Sequence, residues 1–278
     1  MKLMMFTHGG ATRLGVVEDD DVVAVEGDLQ SVIQAGQVAL EAVKAQTAKG
    51  ERLKLGDVKP ALPLAHPNKF ICVGLNYALH AKEGGHDIPT YPSFFPRYAT
   101  SLVPAEGNVI RPKASETLDY ECELAFIIGR GGRHIKEADA LDHVFGYTIF
   151  NDVSVREFQR KTSQWTPGKN FDGTGPFGPV VVTPDELPPG ASGLRITTRV
   201  NGETMQDSNT EDMIFTVANI IETLSAFMTL EPGDVVATGT PSGVAHARKP
   251  PAWMKAGDTV EVEIEKIGIL RNPVVDEA

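Results

Sequence analysis

Three carboxylates and a histidine–glutamate pair are the residues of this chain whose types and spacing could do chemistry. Glu121 and Glu123 lie two apart in DYECELAFIIG (119–129), so on a strand both side chains leave the same face. Asp152 closes a second apolar run, YTIFND, at a strand tip, where reactive groups are commonly mounted. An E-x-E alone reads equally well as a solvated edge, as in VEVEIE near the C-terminus. Here the strand continues into LAFIIG, which marks it as core. Three carboxylates converging there would repel one another at high cost unless a cation neutralised them. An all-oxygen set suits Mg²⁺ or Mn²⁺, and Ca²⁺ is also compatible. Zinc is disfavoured, because no His or Cys pair sits at ligand spacing nearby.

His80 and Glu83, in GLNYALHAKEGG, are three apart, so one helical turn sets them on the same side. A glutamate there fixes the imidazole tautomer and raises its basicity, the usual way to make a water-activating base. Gly84-Gly85 would let the segment hinge as a lid. A surface ion pair on a mobile loop is the competing reading. Lys169 sits among glycines and prolines in TPGKNFDGTGPFGP, whose spacing fits neither phosphate-loop nor dinucleotide patterns. In a pocket it would donate to a carboxylate or a developing oxyanion. Thr240, in ATGTPSGV, offers a hydroxyl and a backbone N–H at a turn after a strand.

Such residues need a scaffold. KFICVGLN, LAFIIG, VFGYTIFND and GPVVVT are near-continuous apolar runs, as strands buried on both faces would be. Asn201-Gly202 in LRITTRVNGETMQ predicts a type I′ hairpin, and TVEVEIEKIGIL alternates like a half-exposed strand. KLMMFT, TRLGVV and DVVAVE predict short hairpin strands, followed by a helical stretch over about 28–49, interrupted near Gly36. KPALPLAHPNK reads as an extended linker and divides the chain into a small N-terminal α+β domain, 1–65, and a larger domain, 66–278. One long helix is predicted, with Ser208 and Glu211 as its capping box. Its core stripe would be Met213, Ile214, Val217, Ile221, Leu224 and Met228. Strands dominate, so the fold class is mainly β with some α.

A formal net charge of −11 over 278 residues argues against a nucleic-acid partner but leaves room for a small anionic substrate. Cys72 and Cys122 lie in apolar runs and read as buried free thiols. With no disulfide framework, a reducing cytoplasm is the expected location. The N-terminus does not read as a signal peptide, and no apolar segment reaches membrane-spanning length.

In order, GLNYALHAKE, DYECELAFIIG, GYTIFNDVSVREFQ, GKNFDGTGPFGP, VNGETMQDSNTEDMIF and LEPGDVVATGTPSGV resemble the fumarylacetoacetate hydrolase family. The resemblance runs over about residues 68–274 and is closest to the acylpyruvate hydrolase and 2-hydroxyhepta-2,4-diene-1,7-dioate isomerase branch. The first 65 residues resemble the small N-terminal domain of many members. The resemblance implies a mixed β-sandwich roll with the site at its mouth, in a homodimer. It implies Mg²⁺ or Mn²⁺ on Glu121, Glu123 and Asp152, the family's dyad on His80 and Glu83, and its lysine on Lys169. Gln159 and Thr240 match substrate contacts. SFFPRYATSL departs from the pattern, offering Arg97 where many members carry a lysine; arginine can still hold a carboxylate, bidentately.

The activity implied is hydrolytic C–C cleavage of an acylpyruvate-type 2,4-dioxo acid, fumarylpyruvate-like, through an enolate held on the metal, as in aromatic-compound catabolism. Relatives use the same apparatus to decarboxylate oxaloacetate, or to isomerise and decarboxylate hydroxymuconate-type diacids. A non-catalytic metal- or ligand-binding homologue is a reading of another class, against which the complete set of carboxylates, dyad and lysine argues.

Overall fold

The computed structural model describes residues 1–278. The apolar run after Glu121 forms the strand Cys122–Ile128, buried at every residue. Pleating sends Cys122, Leu124, Phe126 and Ile128 into one core, and Ala125 and Ile127 into a second core on the opposite face. Each fully buried aliphatic or aromatic side chain contributes about 1.5–3 kcal/mol, so this strand is anchored from both sides. It pairs antiparallel with Val144–Asn151, also wholly buried, and with Val235–Ala237.

These strands lie in the middle of a twelve-stranded sheet. From them it runs one way through Phe70–Gly74 to the edge strand Ser93–Pro96, and the other way through Gly175–Val182. Lys2–His8 joins there, pairing Lys2 with Val182 and Leu3 with Val181, so the N-terminal strands extend the same sheet. A second, five-stranded sheet holds Arg195–Val200, Glu203–Asn209, Thr259–Ile264 and Gly268–Asp276, with Val109–Arg111 at its edge. Ile196, Val262, Ile264 and Leu270 of this sheet share the core of Leu124 and Phe126, which makes a mixed sandwich, mainly β with some α. Asn201 and Gly202 both take positive φ, 51° and 83°, as the hairpin's type I′ turn requires. Thr259–Ile264 alternates between half-buried and buried residues, as its charge pattern demands.

The helical stretch of the N-terminal segment is two helices, Leu29–Ala35 and Gln37–Thr47, broken at Gly36. The long helix, however, begins later than its sequence pattern indicates. It spans Val217–Phe227, with Thr216 accepting from the Asn219 N–H as its cap. Ser208 lies on a strand, and the capping box nearby is Asn209 with Asp212, on a 3₁₀ turn. Asn76 explains the delay. Its backbone C=O accepts from Ile214 N–H at 2.8 Å, and its side-chain Oδ1 accepts from Phe215 N–H at 2.6 Å. Ile214 and Phe215 are thereby held out of the helix. No helix is long and apolar enough to cross a membrane. Cys72 and Cys122 are free and buried.

Candidate active site

Register brings the carboxylates together. Cys122 sits opposite Asn151, so Glu121 and Asp152, one residue beyond on each strand, are neighbours. The Asp152 N–H donates to Glu121 O at 2.9 Å, and the Glu121 N–H donates to the Asn151 side chain at 3.0 Å. Glu123 continues the face of Glu121. One oxygen from each of Glu121, Glu123 and Asp152 lies within 4.8 Å of the others, and all three residues are buried.

The protein supplies cations of its own. Lys169 Nζ donates to Glu121 Oε2 and Asp152 Oδ2, both at 2.6 Å. Arg156 donates through Nη2 to Glu121 Oε1 at 2.5 Å, through Nε to Asp119 Oδ2 at 2.7 Å, and through Nη1 to Gln159 Oε1 at 2.8 Å. Arg97 is buried, with Nη1 3.2 Å from Asp152 Oδ1, but the same nitrogen donates to Val153 O. Asp152 Oδ1 is thus left without a hydrogen-bond donor. Glu123 has a single donor, the Gly239 N–H at 2.9 Å, and no cation in hydrogen-bond contact.

Electrostatics follow these contacts. Burial raises the Glu121 pKa, but the charges of Arg156 and Lys169 outweigh it and hold the carboxyl below its ordinary value. Burial, then the charges on Asp152 and Glu121, push Glu123 well above its ordinary value. Burial raises Asp152 too, although Lys169 and Arg97 oppose it. Burial works against the Lys169 ammonium, but Asp152 and Glu121 more than compensate and keep it charged. The donor set suits a hard divalent cation. It is all oxygen, buried, held on two fixed strand ends, and includes an orphaned Asp152 oxygen and a carboxylate without a counter-charge.

These groups line a cavity of about 480 Å³ that also contains His80, Gln159, Thr240 and His246. His80 stands on the helix Ala78–Glu83, where Glu83 Oε1 engages its Nδ1 at 2.8 Å; the Nε2 makes no protein hydrogen bond. The other Glu83 oxygen accepts from the Gly243 N–H at 2.9 Å, tying the dyad to the Thr240 loop. The Thr240 hydroxyl accepts from Gln206 Nε2 at 2.8 Å. Trp165 and Phe95 form an aromatic wall, edge to face at 5.5 Å. Trp165 crowds Gly74, where a Cβ would come within 2.0 Å of its ring.

The structure therefore brings His80, Glu83, Lys169, Glu121, Glu123, Asp152, Gln159 and Thr240 to one place. Arg97 does not line the cavity: it lies behind Asp152, over the Phe150 ring at 5.3 Å, and acts as a counter-charge to that carboxylate. Sequence reading missed Asp119, Arg156, Asn76 and His246. Asp119 extends the alternation to D-x-E-x-E, and Arg156 lies four residues after Asp152, so both had a signal in spacing. Asn76 and His246 had none.

Comparison with known proteins places this geometry in a lineage. A family model described as fumarylacetoacetate (FAA) hydrolase C-terminal matches residues 69–275, and one described as Rv2993c-like, N-terminal matches residues 1–59. A mitochondrial oxaloacetate tautomerase of Xenopus laevis is 42% identical over 250 residues, 89% of this chain and 78% of its own. A fumarylacetoacetate hydrolase structure from Exiguobacterium antarcticum superposes with a TM-score of 0.89 at 39% identity, covering all of both chains. A maleylpyruvate hydrolase from Sphingobium sp. SYK-6, solved with manganese(II) ion and pyruvate, gives a TM-score of 0.85 at 29% identity, again over both whole chains. With its carboxylates, dyad and lysine assembled on that fold, the chain belongs to the fumarylacetoacetate hydrolase family of enzymes.

Proposed function

We propose that this enzyme catalyses keto–enol tautomerisation of a short 2-oxo diacid of the oxaloacetate type. The observation that carries this reading is the His80–Glu83 dyad beside a cavity whose other walls are largely polar and include Arg156, Arg160 and Lys169. Such a cavity suits a compact anion that must gain and lose a proton. The oxaloacetate tautomerases at 42% identity support the same choice.

Glu121, Glu123 and Asp152 would hold Mg²⁺ or Mn²⁺, which supplies a Lewis acid that polarises the 2-oxo group. Glu83 accepts from His80 Nδ1–H and so leaves Nε2 as the basic nitrogen, which moves the proton at C3. Lys169, kept charged by its carboxylate neighbours, stabilises negative charge developing on substrate oxygen. Arg160 lines the cavity and has no acidic partner, which suits it to a distal carboxylate. Phe95 and Trp165 limit the length of the bound chain and exclude water from one side.

A second reading, C–C hydrolysis of an acylpyruvate, is favoured by the maleylpyruvate hydrolase neighbour and by a dyad equally able to activate water. The deciding experiment follows enol oxaloacetate by ultraviolet absorbance with Mg²⁺ or Mn²⁺ present. Parallel assays measure acid release from acylpyruvates, CO₂ release from oxaloacetate and isomerisation of a hydroxymuconate-type diacid. Acceleration of enol–keto conversion without acid or CO₂ release is expected. Acylpyruvate turnover with oxaloacetate conversion left at the uncatalysed rate would replace the first reading by the second.

A further inference from the structure

Keto–enol conversion moves one proton on carbon and one on oxygen, and His80 accounts for only one of them. We propose that His246, oriented by Asp119, is a second catalytic residue of this cavity, serving the substrate oxygen while His80 serves C3. The inference rests on the tautomerase reading.

His246 lines the same cavity as His80. Its Nδ1 is 3.2 Å from Asp119 Oδ2. The fully buried Asp119 carboxylate also receives the Ala245 N–H at 2.7 Å, the His246 N–H at 3.1 Å and Arg156 Nε at 2.7 Å. A carboxylate surrounded by donors accepts from Nδ1–H, which leaves the lone pair of the neutral ring on Nε2. That Nε2 has no protein partner. His80 repeats the arrangement, with Glu83 as its orienting carboxylate. The two pairs are also fixed to each other. Glu83 grips the loop bearing His246 through the Gly243 N–H, and the Tyr120 hydroxyl donates to Gly243 O at 3.1 Å. Asp119 secures the far end of that loop.

In the enol-to-keto direction the enol O–H breaks and its proton passes to His246 Nε2. The oxygen electron pair closes the C2 carbonyl, and the C2–C3 double-bond pair takes the proton from Nε2–H of protonated His80. His246 then releases a proton to water and His80 regains one, so atoms and charge balance.

The test separates carbon from oxygen chemistry in the Mn²⁺-loaded enzyme. C3 exchange into oxaloacetate is followed in D₂O by NMR, and enol–keto conversion by absorbance, each above its uncatalysed rate; Mn²⁺ binding is titrated by electron paramagnetic resonance. His246→Asn keeps a donor toward Asp119 but lacks Nε2. It should lower kcat for conversion by about 100-fold, with C3 exchange and Mn²⁺ binding retained. His246→Gln, which keeps polar reach but takes no proton, should behave alike and guards against a folding defect in the first variant. Exchange and conversion falling together would assign His246 a structural role, and conversion unchanged would assign it none; either overturns the proposal. If the wild-type enzyme fails to convert oxaloacetate, the functional reading itself falls, and this inference with it.

Discussion

Replacing Glu123 by glutamine should stabilise the metal-free protein and abolish its stabilisation by metal. Glu123 is 1% exposed, accepts one backbone N–H and lies beside two other carboxylates. Glu121 and Asp152 have cationic partners at 2.6 Å; Glu123 has none. Glutamine retains the acceptor for Gly239 and removes the uncompensated charge, a change worth about 1–3 kcal/mol. With an unfolding entropy of about 2.1 cal/mol/K per residue, that raises Tm by about 2–5 °C. The sign of the pH dependence follows from burial and the neighbouring charges, which push the folded carboxyl well above its ordinary 4.5. The folded state binds that proton more tightly than the unfolded chain, so the contribution is fully present below 4.5 and is lost as pH rises toward the folded value. Wild type and Glu123→Gln should therefore melt together near pH ~4 and diverge as pH increases. Divalent metal at about 100 times Kd should add about 3 kcal/mol to the wild type, or about 5 °C, and nothing comparable to the variant. Scanning calorimetry with chelator and with Mn²⁺, across this pH range, measures both effects. A variant that melts below the wild type in chelator at neutral pH, or that gains the same Mn²⁺ shift, would refute the reasoning.

His80→Asn should lower kcat by roughly 10²–10⁴-fold while Mn²⁺ titration remains unchanged, because the imidazole handles protons and is not among the grouped carboxylates. Arg156→Met should cost about 3–5 kcal/mol in denaturant unfolding, since it takes the guanidinium from the buried Asp119 and leaves Glu121 with Lys169 alone. Asn76→Ala should cost about 3 kcal/mol or more by the same measurement: its side chain serves Phe215 N–H, Phe215 O and Thr238 O, three backbone groups left unpaired without it.

Elements with a local code were legible in the sequence. The two-face burial of Cys122–Ile128 follows from an unbroken apolar run, and the hairpin at Asn201-Gly202 from a dipeptide that tolerates positive φ at both positions. The metal-ligand candidates were legible because pleating converts a spacing of two into a shared face. Features decided by distant contacts were not. Ser208 and Glu211 have capping-box spacing, yet Asn76, more than 130 positions away, holds Ile214 and Phe215 out of the helix and delays its start to Val217. Arg97 has a side chain suited to substrate, but whether it faces the cavity or Asp152 depends on tertiary packing that no local pattern encodes. His246 is a single histidine in a turn, given meaning only when Asp119 arrives from another strand.

The charge balance of the assembled site links that missed set to function. Reading three carboxylates as a cluster needing one cation understates what the fold has built. Asp119, Glu121, Glu123 and Asp152 are four buried acids, and Arg97, Arg156 and Lys169 are three buried cations among them. The acid in excess is Glu123, the carboxylate with no cation of its own, whose burial favours the protonated form until a divalent ion takes the proton's place. A divalent ion on the three candidate ligands therefore adds positive charge to a cavity whose walls also carry Arg156, Arg160 and Lys169. The loaded cavity is expected to attract a keto acid more strongly than the metal-free one. In a chain with net charge −11, this added local charge would favour binding of an anionic substrate and would tie its affinity to the metal. Oxalate, a non-reactive dianion, should accordingly show calorimetric binding to the Mn²⁺-loaded protein and none to the chelated one. Equal binding in both would show that Arg156, Arg160 and Lys169 attract the anion without the ion, and would refute the dependence on metal.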